Sequence, residues 1–307
     1  MSGWRAGLVA AAVGGLILAV GAVVAALGGD GDTSETTVPS AHVTLACVPA
    51  LETVCADLGV ELGVSTATYR PGTDPGDDVV VVAPAADLPA DLTGSVVARS
   101  PVAIAVWRER AVVLSPGCGG TIDLACLEAA YGRQWGDLGG NPAWALFTIG
   151  LADPNRSASA LEAWRVVAGA GVPTGLADSL RLRGDDDASL LLELAQFGPS
   201  RADVIVSTEV AIAAQLENVW DVGRLEVSYP DPGPWIEYVA ATRGGDAAGL
   251  AERLLTPEVQ SRLSGLGLRP ANGEPAELPE GLGTPGQPMG TLSDAERAAL
   301  LEAWQEL

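Results

Sequence analysis

The sequence predicts an α/β fold, in which short buried strands alternate with helices. The run 79–84, VVVVAP, is apolar throughout, which is typical of a strand buried on both faces of a parallel sheet. A first strand, 42–47, is followed by a helix pattern that has a proline near its first turn. The apolar strand 147–151 runs in the same way into a long helix that reaches residue 170. This alternation indicates an α/β architecture with parallel-rich sheets.

The composition excludes several kinds of chemistry. The 307-residue chain has no lysine, a single histidine, His42, and a formal charge of −22. Nucleic acid requires a basic surface, so the charge argues against a nucleic-acid partner. Lysine nucleophiles and histidine-based zinc sites are excluded by the missing residues. A Ser-His-Asp triad would need His42, which we interpret as a solvated residue at the end of a polar linker. The acidic run 185–187 lacks the spaced ligands of a calcium loop and is interpreted as a solvated turn. We therefore expect no enzyme, no cofactor and no metal site.

The N-terminal segment predicts export. Residues 6–27 are 22 uncharged positions, which as a helix would span about 33 Å, enough to cross a bilayer. Arg5 precedes this run and acidic residues follow it, so the body of the protein is expected outside the cell. Residues 1–27 are either an uncleaved single-pass anchor in the cell membrane or a signal peptide, with Val24-Ala25-Ala26 as its cleavage site and a secreted product. The polar segment 28–41 is a linker.

Four cysteines agree with an exported protein. Cys47 and Cys55, like Cys118 and Cys126, have seven residues between them. Four cysteines allow three pairings, and two local loops are the simplest. The spacing does not suit zinc, so we expect structural disulfides.

Three stretches resemble bacterial extracellular solute-binding proteins of the two-lobed type II class, in particular the molybdate- and sulfate-binding branch. They are ARSPVAIAVWRERA (98–111), WGDLGGNPAWALFTIGLADPNRSASALEAW (135–164) and YPDPGPWIEYVAATRGGDAAGLAERLLTPEVQSRLSGLGLRP (229–270). The first is similar to the family's strand that crosses between lobes, and the last to its closing segment. The resemblance implies a periplasmic-binding-protein-like fold with lobe I at 42–98 and 225–271 and lobe II at 99–224.

The tail, 272–307, lies outside the resemblance. It begins with a stretch rich in proline and glycine and ends in a helix that opens with the capping box Ser293-x-x-Glu296. Leu300, Trp304 and Leu307 share one face of this helix, so we expect it to dock on the rest of the protein.

The resemblance also implies a ligand site. In that family a small ligand, often an oxyanion, binds between the lobes at helix N-termini, which attract anions through bare backbone N–H groups. A second box, Ser159-x-x-Glu162, predicts Ser159 as the cap of one such helix. The candidate ligand-binding residues are Asn155, Arg156, Ser157 and Ser159 at one helix start, Ser207 and Thr208 at another, and Tyr229 near the return crossing.

Two functions remain open. The first is a membrane-tethered solute-binding protein that captures a small molecule between its lobes and presents it to a membrane protein, with an ABC-type transporter as the implied partner. The alternative is a scaffold or protein-interaction module that keeps the fold with a degenerate site. The first-lobe loops 47–51 and 83–87 carry no hydroxyl group, so the first-lobe half of the family's site is thinned or lost.

Overall fold

The computed structural model describes residues 43–169, 171–216, 225–271, 275 and 277–307. The strands of these ranges are β1 (Thr44–Cys47), β2 (Ser65–Thr68), β3 (Val79–Pro84), β4 (Thr93–Trp107), β5 (Ile149–Ala152), β6 (Leu180–Gly184), β7 (Val204–Thr208), β8 (Leu225–Ser228), β9 (Trp235–Thr242) and β10 (Arg269–Pro270). The helices are α1 (Glu52–Leu62), α2 (Arg108–Gly117), α3 (Leu124–Ala130), α4 (Ala158–Ala168), α5 (Leu176–Ser179), α6 (Asp187–Phe197), α7 (Glu209–Leu216), α8 (Asp246–Arg253), α9 (Pro257–Gly265) and α10 (Asp294–Gln305).

The expected membrane segment lies outside the described residues. Within those ranges, none of the helices is both long enough and apolar enough to span a bilayer. The choice between an anchor and a signal peptide stays a prediction.

The long strand β4 joins two half-sheets. Its residues 93–101 pair with β9, whereas 102–106 pair with β7 and 104–107 with β8. The strand order is β2-β1-β3-β9-β4-β7-β5-β6. We call β2-β1-β3-β9 with the first part of β4 the first half-sheet, and the second part of β4 with β7-β5-β6 the second. The strand expected within 98–111 to cross between the lobes is confirmed as far as Trp107, where the chain turns into α2.

The sheet is mixed rather than parallel-rich. β1 pairs in parallel with β2 and β3, and β5 with β6 and β7. Where β4 meets β9, β7, β8 and β10, and where β9 meets β3, the pairing is antiparallel. The expectation of parallel-rich sheets is therefore wrong at the centre, where β4, which crosses between the half-sheets, and β9 run against the strands beside them.

Side chains of β4 reach two hydrophobic cores. Ala103 and Ala105 belong to one cluster of buried residues, and Val102, Ile104 and Val106 to the other. Successive strand residues point to opposite faces, so a continuous apolar run can fill both. This explains why the run VAIAVW carries no polar residue.

Both expected disulfides form. Cys47 pairs with Cys55 and Cys118 with Cys126, with Cα–Cα distances of 6.2 and 5.3 Å. Each bridge ties a helix to the segment immediately before it, as the short spacing predicts.

The C-terminal helix α10 docks on α4, as its apolar face predicts. Ser293 and Glu296 form the expected capping box. The ring of Trp304 lies edge-on to Trp164 with centroids 5.3 Å apart, and Trp164 Nε1 donates to the Leu300 carbonyl at 2.7 Å. Trp304 is only 6% exposed.

The tail reaches α10 along the turn between β8 and β9. Gly233 N donates to the Gln287 carbonyl at 2.9 Å, and Met289 N donates to the Gly233 carbonyl at 2.7 Å. Farther along, the Arg165 guanidinium of α4 donates to the Gly290 carbonyl at 2.7 Å. The tail therefore connects the turn between β8 and β9 with helix α4 of the second half-sheet.

Candidate functional site

Three helices begin at one edge of the second half-sheet. α4, α6 and α7 follow β5, β6 and β7, which run parallel, so the three helix starts lie at the strands' common carboxyl edge. This edge is where open α/β sheets bind ligands, and helix starts there favour anions. The predicted site residues other than Tyr229 fall at the starts of α4 and α7.

The start of α4 differs from the prediction. Ser157 is the cap, and its hydroxyl accepts from Ala160 N at 3.1 Å. The predicted cap, Ser159, is already inside the first turn and is buried, so that expectation is wrong. The helix begins earlier because Asp153 closes the preceding turn, accepting from Asn155 N at 3.0 Å and from its amide nitrogen at 2.8 Å.

Arg156 and Asn155 lie on the surface of that turn. The Arg156 guanidinium is 3.9 Å from the Asp153 carboxylate, and its side chain is 62% exposed. Both side chains therefore stabilise the turn and do not point into the cleft.

A carboxylate from the first half-sheet occupies the α4 start. Asp87, in the turn that follows β3, has both carboxylate oxygens 3.1 Å from Ala158 N. Burial raises the pKa of Asp87 to about 6, while the Ala158 N–H and the positive charge of Arg297 act in the opposite direction. The helix end that would hold a ligand anion is bound by the protein's own acid.

A second carboxylate takes the serine hydroxyls. Asp187, at the start of α6, accepts from Ser159 Oγ at 2.6 Å and from Ser207 Oγ. Its side chain is fully buried, and desolvation raises its pKa against the effect of these two hydrogen bonds. The acidic run 185–187 is therefore not a solvated turn: Asp186 caps α6 and Asp187 points inward.

At the start of α7, Val210 N donates to Ser100 Oγ at 3.0 Å, and the carboxylate of the first helix residue, Glu209, is engaged by side chains. Glu209 is fully buried and accepts from Arg269 Nε at 2.9 Å and Nη2 at 2.7 Å. The Tyr229 hydroxyl also donates to Glu209, and it accepts from Gly283 N of the tail at 3.1 Å. Burial and the Glu209 charge raise the pKa of Tyr229.

Thr208 is buried beside Tyr238. In the described part of the chain neither hydroxyl has a hydrogen-bond partner of good geometry. Burial, followed by the negative charge of Asp187, raises the pKa of Tyr238. Thr208 therefore has no exposed surface on which a ligand could bind.

The structure brings together only some of the predicted residues. Ser159 and Ser207 meet at Asp187, while Tyr229 belongs to the separate cluster with Glu209 and Arg269. The prediction missed Asp87, Asp187 and Arg269. Asp87 could have been predicted from the sequence, because it is the polar residue that ends the loop APAAD after the buried strand β3.

An open cavity of about 640 Å³ lies in front of the α4 start. Its walls come from the turn after β3, the first turn of α4, strands β4 and β9, and the tail. Representative lining residues are Ala85, Ala158, Trp235, Met289 and Arg297.

No protein-family model matches the sequence, and a search of curated proteins gives no match. Solved structures do share the fold. Apo ferric ion-binding protein A of Pasteurella haemolytica has a TM-score of 0.54 at 15% identity, covering 86% of this chain and 96% of that one. A periplasmic thiamin binding protein has a TM-score of 0.53 at 14% identity, covering 86% of this chain and 95% of that one. AfuA of Actinobacillus pleuropneumoniae, a periplasmic binding protein with fructose-6-phosphate bound, has a TM-score of 0.50 at 15% identity, covering 86% of this chain and 97% of that one.

The fold is thus the two-lobed, periplasmic-binding-protein-like α/β fold with a mixed sheet. At these identities the similarity concerns the fold alone. The more specific molybdate- and sulfate-binding branch stays a prediction.

Proposed function

We propose that this protein is an extracellular solute-binding protein that captures a small molecule in the cleft between its half-sheets. The cavity of about 640 Å³ in front of the α4 start carries the proposal. Its volume lies within the range of roughly 300–1,000 Å³ typical of small-molecule sites. The solved structures of the same fold that are named as ferric ion, thiamin and sugar phosphate binders support the proposal by analogy.

The proposed ligand lies in front of the helix starts rather than on them. Asp87, Asp187 and Glu209 already accept hydrogen bonds from the groups that an oxyanion would use at α4, at the two serines and around α7. A free oxyanion at any of these points would meet a carboxylate at close range and be repelled. The site therefore favours a ligand larger than a simple oxyanion, held by the cavity walls.

A thermal-shift screen of the full-length chain tests the proposal. Organic acids, amines, sugars and amino acids would be added singly, and a ligand at 100 times its dissociation constant should add about 2.7 kcal/mol to the free energy of unfolding. The comparison variant is Ala85→Trp, which places a large side chain at an exposed position of the cavity rim and should block the cavity. A genuine cleft ligand should stabilise the unmodified protein and not this variant. If no class of ligand stabilises the unmodified protein more than it stabilises the Ala85→Trp variant, the proposal is wrong.

The filled helix starts favour a second candidate function, a scaffold or interaction module that retains the fold without a ligand. In that case the carboxylates occupy the groups that a ligand would otherwise use. An unproductive screen, combined with an Ala85→Trp variant that keeps the protein's cellular role in a deletion-complementation assay, would support this candidate over solute binding.

The proposal includes the location of the protein. Residues 1–27 would hold it at the outer face of the cell membrane, where an ABC-type transporter could receive the ligand. N-terminal sequencing of the mature protein tests this: a chain that begins near Leu27 has lost a signal peptide, and the anchor would then be excluded.

A further inference from the structure

The tail supplies part of the cavity wall. Pro288, Met289, Thr291 and Arg297 all line it, and all four belong to the segment that follows the resemblance to solute-binding proteins. Hydrogen bonds at Gly233 and Arg165 hold this segment against the turn between β8 and β9 and against α4. The cavity is thus a joint product of the two-lobed fold and the tail.

Most charged groups that line the cavity already have partners. Glu162 accepts from Arg165 at 3.2 Å, and Glu237 accepts from Arg99 Nε at 3.0 Å. Arg297 differs: in the described ranges its guanidinium makes no hydrogen bond and no ion pair within 4.0 Å. A guanidinium has five N–H donors and keeps its positive charge at any physiological pH. It is therefore the charged group of this cavity that is open to a ligand.

The nearest acids do not satisfy Arg297. Burial raises the pKa of Asp87 and of Glu162, and the positive charge of Arg297 opposes both shifts. The Asp87 oxygens are directed to Ala158 N, and Glu162 is paired with Arg165. Their negative charges are thus partly compensated by neighbours, while the donors of Arg297 remain without acceptors.

The remaining walls are largely apolar. Trp235 and Met289 offer an aromatic ring and a flexible thioether, and Ala85 and Pro288 add small apolar surfaces. Such walls suit a flat apolar body.

We propose that this cavity binds a small organic monoanion, with its anionic group on Arg297 and its apolar body against Trp235 and Met289. The inference rests on the function proposed above and adds the chemical class of the ligand. It also assigns the tail a part in the binding site.

The test compares three probes of nearly equal shape and different charge: indole-3-acetate, indole-3-acetamide and tryptamine. Isothermal titration with the full-length chain should give at least tenfold tighter binding of the acetate than of the amide, and weaker binding still of the amine. Arg297→Gln should abolish the difference between acetate and amide, and Arg297→Lys should retain much of it because the charge remains. Arg181→Gln, on the exposed side of edge strand β6, should leave all three affinities unchanged.

The outcomes separate this inference from the proposed function. Tighter binding of tryptamine than of the acetate, or an acetate preference that survives Arg297→Gln, would refute the assignment of an anion to Arg297. If neutral or cationic ligands from the screen bind and Ala85→Trp blocks them, the cleft is a binding site but the ligand class is wrong. If Ala85→Trp blocks nothing that binds, the proposed function itself fails.

Discussion

Replacing Asp87 by asparagine should make the protein more stable at neutral pH. The change keeps an oxygen that can accept from Ala158 N and removes the buried negative charge. Burial raises the pKa of Asp87 from 3.8 to about 6, so the folded protein holds this proton more tightly than the unfolded chain does. The contribution of this carboxyl to the stability of the folded state is therefore largest below pH 4 and is lost as the pH rises toward 6 and above.

The size of the effect follows from the shift in pKa. A difference of about two units between the folded and unfolded states corresponds to about 3 kcal/mol at pH 7.5, where Asp87 is charged in both. At pH 5 the folded carboxyl is mostly protonated and the unfolded one mostly ionised, so the cost falls to about 1.5 kcal/mol. Asp87→Asn should thus gain about 3 kcal/mol at pH 7.5 and about half of that at pH 5.

Urea unfolding at the two pH values measures this difference directly. Asp137→Asn is the matched control, because it makes the same chemical change at an exposed position and should alter stability by less than about 0.5 kcal/mol at either pH. An asparagine variant that is less stable than the unmodified protein at pH 7.5 would show that the Asp87 charge is favourable in place. A gain that does not shrink at pH 5 would refute the link to its ionisation.

Three further predictions concern stability. Proteolytic mapping without reduction should yield the two local disulfides, and replacing either cysteine pair by serine should cost about 2–3 kcal/mol, since each closes a short loop; a peptide that joins the two pairs would contradict the structure. Trp304→Ala should lower the free energy of unfolding by about 3–5 kcal/mol, because Trp304 fills the contact of α10 with α4, and amide hydrogen exchange along α10 should become faster. Glu302→Ala, at an exposed position of the same helix, should change little. Ser207→Ala should destabilise by about 1–3 kcal/mol, because Asp187 loses a hydrogen-bond donor, and should leave ligand affinity unchanged; an affinity loss at constant stability would instead place this hydroxyl in the ligand site.

Local features of this protein are readable from sequence because they depend on neighbouring residues. The buried strand β3, the capping box of α10 and the two disulfides each follow from spacing within about a dozen positions. Residues 180–184 and 235–242 were not predicted as strands, because β6 is a short alternating edge strand and β9 follows a turn rich in proline. The mixed character of the sheet also escaped prediction, since direction depends on where a strand returns and not on its composition.

By itself, the sequence determines that polar residues stand at the ends of β3, β5, β6 and β7, and that the α/β alternation gathers three of these ends at one edge. Only the tertiary structure decides what those residues touch. Asp87 reaches Ala158 across 71 positions, Ser159 reaches Asp187 across 28, and Arg269 reaches Glu209 across 60. A serine at a helix start looks the same in sequence whether it faces an open cleft or a buried carboxylate. The difference arises when segments far apart in the chain pack together and exclude water, because a buried polar group must then find its partner within the protein.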